Sequence, residues 1–151
     1  MMVEAKRSLH LRLQEYCDCY LETDPQKEIV VINKKGAAAD VTKDREEVAL
    51  KFLCLTILYG INESAKKITL TKKGRDKVRL DVDAAGKYVL PAPRADIADE
   101  IFKLMRSITH LESERGREVL SLGLRNDRVE LTVELASAPG ENTLTILFPA
   151  T

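Results

Sequence analysis

Three cysteines and two histidines are the residues of this sequence best able to hold a metal or attack a substrate. Cys17 and Cys19 lie two positions apart in a segment with helical periodicity, so their side chains should point about 200° apart and cannot share one ion. Cys54 lies in the most apolar segment and is predicted, like Cys17, to be a core residue. There is no C-x-x-C motif or His/Cys cluster, so we expect no bound metal or other cofactor.

The histidines and glycines give no sign of catalysis. Neither His10 nor His110 accompanies a serine or cysteine in a recognisable nucleophile motif. Each is predicted to be solvent-facing or partly packed, although a catalytic pair assembled in space is the alternative. The phosphate-binding loops G-x-x-x-x-G-K-[ST] and G-x-G-x-x-G are both missing. We therefore expect a protein that is not an enzyme.

One stretch concentrates positive charge. Positions 66 to 79 carry seven basic residues and one acid, Asp76. The basic residues are Lys66, Lys67, Lys72, Lys73, Arg75, Lys77 and Arg79. Such a cluster can contact phosphates, in nucleic acid for example, or an acidic protein. It can also be a solvated hairpin whose lysines discourage strand pairing, and the nearby Asp81 and Asp83 favour this interpretation.

The composition is that of one folded domain. Its 151 residues are 44% hydrophobic and 32% charged, enough to bury a core without disulfides or metal. The core must be aliphatic, since aromatic residues make up only 5%. Equal numbers of basic and acidic residues, 24 each, argue against a general nucleic-acid binder. With no apolar run near the ~20 residues of a membrane span, no secretory signal and an odd number of cysteines, we expect a cytoplasmic protein with reduced thiols.

The first forty residues are predicted to form an added N-terminal piece. A helix is expected over Val3–Glu22, with Leu9, Leu13 and Tyr16 on its apolar stripe, and Asp24-Pro25 should stop it. Ile29–Ile32 is predicted to be a short strand or extended docking segment, followed by a loop or linker over 33–40. The helix stripe needs cover, which we expect from the same chain, with a homodimer as the alternative.

The rest of the chain, residues 41–151, alternates helices and strands. A second helix should open at Asp44 and Glu47 and stop at Gly60, and it is apolar nearly all round, which predicts burial on several sides. A third helix should span 94–112, with Gly116 as the residue that prevents it from continuing. Alternating apolar residues predict strands at 68–71, 78–83, 87–90, 120–124, 129–135 and 144–148.

These elements define an α+β fold. It would contain two helix–three-strand units, with helices packed on antiparallel sheet, plus the N-terminal helix. The best-matching pieces of the two units are Asp76–Val82 and Asp127–Val133. The units look duplicated, although any two amphipathic hairpins can look alike.

Residues 44–149 resemble the N-terminal domain that precedes the motor of the type II secretion and type IV pilus-assembly ATPases. The stretches that carry the resemblance are Asn62–Thr71, Val78–Asp83, Ile108–Arg117 and Gly140–Phe148. Arg79 falls on the first arginine of the family's V-R-x-R motif, and Asp83 is also kept. The second arginine is replaced by Asp81, and the following glycine by Ala84.

The resemblance implies a fold and an ancestry, not ATPase activity. In the family, arginines of this domain help to complete the motor's nucleotide site, whereas here most of that set and the motor's Walker motif are missing. The expected function is a non-catalytic protein-interaction or regulatory module. Its expected partner is a protein, such as a motor ATPase or a second copy of the chain. Binding of nucleic acid or a phosphate ligand through residues 66–79 is the alternative.

Overall fold

The computed structural model describes residues 9–38, 42–124 and 127–149. Helices α1 (Leu9–Tyr20), α2 (Pro25–Ala38) and α3 (Thr42–Asn62) come first, followed by strands β1 (Lys67–Lys73), β2 (Lys77–Asp83) and β3 (Lys87–Leu90). Helix α4 (Ala95–Thr109) then leads into β4 (Arg115–Leu124), β5 (Asp127–Ala138) and β6 (Glu141–Leu147). The predicted α+β class, with two helix–three-strand units and an N-terminal helix, is confirmed.

The prediction of a strand at Ile29–Ile32 was wrong, and so was that of a linker over 33–38, because α2 runs through both as far as Ala38. The last two positions of the predicted linker, 39 and 40, lie outside the described residues. Asp24 does not merely stop the first helix. Its Oδ1 accepts hydrogen bonds from the backbone N–H groups of Gln26 (3.1 Å) and Lys27 (3.3 Å). Asp24 therefore caps α2, with Pro25 at the first helical position. Since Ile29 and Ile32 are three apart on one helix face and both are buried, packing overrides their strand propensity.

Helix α3 lies at the centre of the helical layer, as its all-round apolarity predicted. It packs against α1, α2 and α4, and residues 49 to 60 are buried apart from the half-buried Lys51. Its predicted end at Gly60 was wrong. The helix continues to Asn62, and the Phe148 ring lies so close to Gly60 that a Cβ there would overlap it. The glycine serves a close packing contact within the helix.

Both capping signals predicted for the other helix boundaries were also misplaced. Helix α3 begins at Thr42, before Asp44. Helix α4 ends at Thr109, because His110 adopts a left-handed conformation (φ 59°) and its N–H bonds the Arg106 carbonyl. Gly116 is instead part of β4, where a Cβ would lie 2.9 Å from the Leu111 side chain.

The six strands form one antiparallel sheet in the order β3-β2-β1-β6-β5-β4. The buried residues of all six strands share one face, since they lie opposite one another in the register, as Leu70 does with Leu80 and Leu144. Helices α3 and α4 cover this face. Leu13, Cys17, Ile29 and Ile32 join the same hydrophobic core, so α1 and α2 are built onto it.

The two helix–three-strand units differ in hand. In both units, each successive strand lies closer to the β3 edge of the sheet than the strand before it. The first strands of the two units, β1 and β4, nevertheless run in opposite directions. To superpose the first unit on the second with its helix-covered face on the same side, the first unit must be rotated by half a turn so that β1 points the same way as β4. After this rotation, β1-β2-β3 follow one another across the sheet in the opposite direction to β4-β5-β6. The strand order therefore favours two hairpins with similar patterns over a duplicated unit.

The contacts of Asp96, in the first turn of α4, predict how the stability of the protein depends on pH. Its carboxylate accepts hydrogen bonds from Arg94 Nε (3.0 Å) and the Ile97 N–H (2.9 Å), and Arg45 Nε lies 3.2 Å away. The hydrogen bond from Arg94 is the main cause that lowers the pKa of Asp96. A lowered pKa contributes stability above the unfolded-state value, and that stability is lost as the pH falls through the folded-state pKa. Asp96→Asn should therefore lower the free energy of unfolding by about 1 kcal/mol at pH 7.

Urea unfolding of Asp96→Asn and wild type across pH checks this expectation. The difference between them should shrink as the pH falls below about 4. Equal stabilities at pH 7, or a constant difference at every pH, would contradict it.

Candidate partner-binding surface

The sheet face opposite the helices carries small polar side chains at its centre. Thr69 lies directly opposite Thr145, and Thr71 opposite Thr143, across the β1–β6 pair. These four residues, the threonine patch, are half-buried among their neighbours. Alternate residues of a strand point to opposite faces, so the apolar residues between them enter the core. The patch is polar, and no described helix packs over it.

A shallow depression lies beside the threonine patch on β4, β5 and β6. Its volume is about 450 Å³, and its lining includes Arg115, Arg117, Glu134 and Ala136. Arg117 Nη2 lies 2.8 Å from Glu134 Oε2, whereas Arg115 lies opposite the small Ala136. The short side chain of Ala136 leaves space that a partner's side chain could fill, with the Arg115 guanidinium at its rim.

The sheet does not bring the seven predicted basic residues into one site. Lys72 is on the helix side, where its Nζ lies 2.8 and 3.0 Å from the two Asp99 carboxylate oxygens. Arg79 Nε lies 2.7 Å from Asp81 Oδ1. Lys66 precedes β1, and a seven-residue strand separates it from the hairpin turn, a distance of about 20 Å or more. Its backbone joins the ladder through Asp83 and Phe148.

The remaining basic residues of the hairpin share the outer side of the sheet. Lys73 and Lys77 are direct cross-strand neighbours, Arg75 lies in the turn, and Lys67 lies opposite Asp83. On β1–β3 the outward charged residues are Lys67, Lys73, Lys77, Arg79, Lys87, Asp81 and Asp83. On β4–β6 they are Arg115, Arg117, Arg128, Glu130, Glu134 and Glu141. Positive charge is therefore in excess on the first three strands and balanced on the other three.

The two edges of the sheet differ in length and protection. β3 has only four residues and is followed by Pro91, which limits pairing with another strand. β4 has ten residues, and side chains of α1 bond its free edge. His10 Nε2 donates to the Ser121 carbonyl (2.7 Å), and Gln14 bonds both the N–H (2.7 Å) and the carbonyl of Gly123. No motif or spacing in the sequence indicated this role for His10.

The cysteines are arranged as predicted. Cys17 and Cys54 are buried and Cys19 is exposed, so Cys17 and Cys19 point apart. A hydrogen bond between the thiols of Cys17 and Cys54, together with burial, raises the pKa of Cys54. Within residues 9–38, 42–124 and 127–149, no group of three or more His, Cys, Asp or Glu side chains could hold a metal ion.

No family model matches the chain, and no curated protein matches it. Among the helices that the structure describes, none is long and apolar enough to cross a membrane.

Proposed function

We propose that this chain is a non-catalytic protein-interaction or regulatory module of the cytoplasm that binds its partner with the outer face of its sheet. The supporting observation is the sheet itself, because the helices that the structure describes all lie on one face of its six strands. Six strands about 4.8 Å apart and about 23 Å long offer roughly 600 Å². That area approaches the ~800 Å² that each partner contributes to a standard interface.

The charges on this face favour an acidic partner surface. Basic residues outnumber acidic ones on β1–β3, so an approaching acidic surface would be attracted there. The resemblance in residues 44–149 suggests a motor ATPase of the secretion or pilus-assembly type as that partner. Nucleic-acid binding through the basic hairpin is the competing proposal, although Lys72 and Arg79 are already paired with acids.

Thr145→Arg tests the face directly. Thr145 belongs to the threonine patch and is half-buried on the outer face of the sheet, so an arginine there would project into the interface. We expect binding to a purified motor ATPase from the same genome, measured by biolayer interferometry, to weaken at least tenfold. The free energy of unfolding should stay within about 0.5 kcal/mol of wild type.

Ser107→Arg is the matched control, because Ser107 is exposed on α4, on the other side of the molecule. It should bind like wild type. Equal losses in the two variants, or none in Thr145→Arg, would contradict binding through the sheet face. A salt-dependent shift of a DNA or RNA duplex that Lys73→Glu/Lys77→Glu abolishes would favour the competing proposal instead.

A further inference from the structure

We infer that α1 covers the free edge of β4 and thereby prevents β4 from pairing with the β4 strand of a second copy of this chain. Of the two edge strands that the structure describes, β4 is the longer, and its Val119 is 54% exposed. An exposed edge with an apolar residue is a template for strand pairing. The inference concerns this edge and is independent of the proposed partner on the sheet face.

The direction of the backbone groups defines which positions face the edge. Since α1 bonds Ser121 and Gly123 on the free side, the alternation of an antiparallel strand places Arg115, Arg117 and Val119 on that side as well. The even-numbered positions of β4 face β5. Ser113 Oγ donates to the Arg115 carbonyl (2.8 Å), and the Val119 N–H donates to the Glu118 carboxylate (3.0 Å). The part of the edge that α1 leaves uncovered is therefore short.

A two-fold pairing confined to Arg115–Val119 is unfavourable in four of the five registers that keep like faces together. The fifth, centred on Val119, pairs only that residue within the segment, because Arg117 would then lie opposite Ser121, which α1 occupies. A centre at Glu118 places two glutamates opposite each other, and a centre at Arg117 places two arginines there. A centre at Arg115 also opposes two arginines, and one at Gly116 opposes Arg115 to Arg117. Like charges directly opposite destabilise a strand pair.

Pairing over residues 116–124 of β4 has no such conflict. In a register centred on Leu120, Arg117 lies opposite Gly123, Val119 opposite Ser121, and Glu118 opposite Leu122 of the second copy. The four edge-facing positions from Arg117 to Gly123 then exchange backbone hydrogen bonds. This register needs the Ser121 and Gly123 groups that His10 and Gln14 occupy, so α1 blocks the favourable pairing and leaves the unfavourable ones open.

The contact of α1 with the edge uses side chains that are separate from its packing in the core. Leu13 and Cys17 are buried, and Arg12 bonds Glu46 Oε1 (3.1 Å) and Glu47 of α3. Tyr16 also bonds Glu47. Replacing His10 and Gln14 should therefore free the edge without removing these contacts. This double replacement therefore permits a test in the full chain.

The experiment compares wild type with His10→Ala/Gln14→Ala by sedimentation velocity over a range of concentrations and by amide hydrogen exchange. We expect a monomeric wild type. At concentrations where it is still monomeric, the double variant should exchange the Gly123 amide at least tenfold faster than wild type does. At higher concentrations it should form a dimer whose fraction rises with concentration. Gln26→Ala, a change at an exposed glutamine of α2, should behave like wild type.

Adding Val119→Pro to the double variant separates edge pairing from general aggregation. The Val119 N–H faces the edge, so proline removes a donor that the dimer needs and spares the bonds to β5. The dimer should disappear. The inference is overturned if the double variant stays monomeric at every concentration, if the Gly123 amide of its monomer exchanges no faster than in wild type, if the dimer survives Val119→Pro, or if wild type already pairs through this edge.

Discussion

We expect Leu13→Ala to lower the free energy of unfolding by about 2–5 kcal/mol. Leu13 is fully buried, and α1 packs against α3, with further contacts to α4 and β4. Removing its side chain takes away apolar burial and leaves a cavity in the hydrophobic core. Because the helix is amphipathic, with its apolar stripe as its main attachment, the loss cannot be recovered elsewhere along α1. Urea denaturation followed by circular dichroism measures the effect.

Leu11→Ala is the matched control for this prediction. Leu11 is on the same helix but is 44% exposed, so its replacement should change stability by less than about 0.5 kcal/mol. Should Leu13→Ala prove as stable as Leu11→Ala, α1 would not be an integral part of the core.

The second large effect is expected from Phe52→Ala, with a loss of about 3–5 kcal/mol. Phe52, on α3, is 2% exposed. Its side chain lies between α4 and the sheet, near Leu80 and Ile101. The void beside it has a volume of only about 10 Å³, which is no larger than one water needs. The surrounding side chains come from helices and strands that are themselves fixed, so collapse into the new space should be limited.

Thermal or urea unfolding of Phe52→Ala can be compared with Val89→Ala, a change at a 54% exposed edge residue. Val89→Ala should be near wild type. A loss below about 1 kcal/mol in Phe52→Ala would mean that the core repacks around the site, contrary to the expectation of a closely packed centre.

The sequence predicted the fold where the hydrophobic pattern was long and regular. The alternation in Val78, Leu80 and Val82 predicted the inward face of β2, and the all-round apolarity of the second helix predicted its central position. The intramolecular packing of the first helix was also predicted, and Leu13 and Cys17 confirm it. Such patterns determine burial directly, because each apolar side chain must leave water.

The sequence was misleading where a residue has two possible roles. Asp24-Pro25 can end one helix or begin the next, and the two were distinguished only by the hydrogen bonds of Asp24. Gly60 and Gly116 suggested helix ends but instead allow Phe148 and Leu111 to approach closely. The candidate surface was harder still. Strand register separates Lys66 and Lys72 from the other basic residues, and no local pattern contains that register.

The position of β6 between β1 and β5 determines the order in which the sheet can be assembled. Each hairpin can form early from neighbouring residues, but β1 and β6 are separated by α4 and four other strands along the chain. Until β6 is inserted, both β1 and β5 present an open edge, so the incompletely folded chain is exposed to aggregation. Such a late, long-range closure predicts slow folding for a domain of this size, limited by the arrival of its final strand.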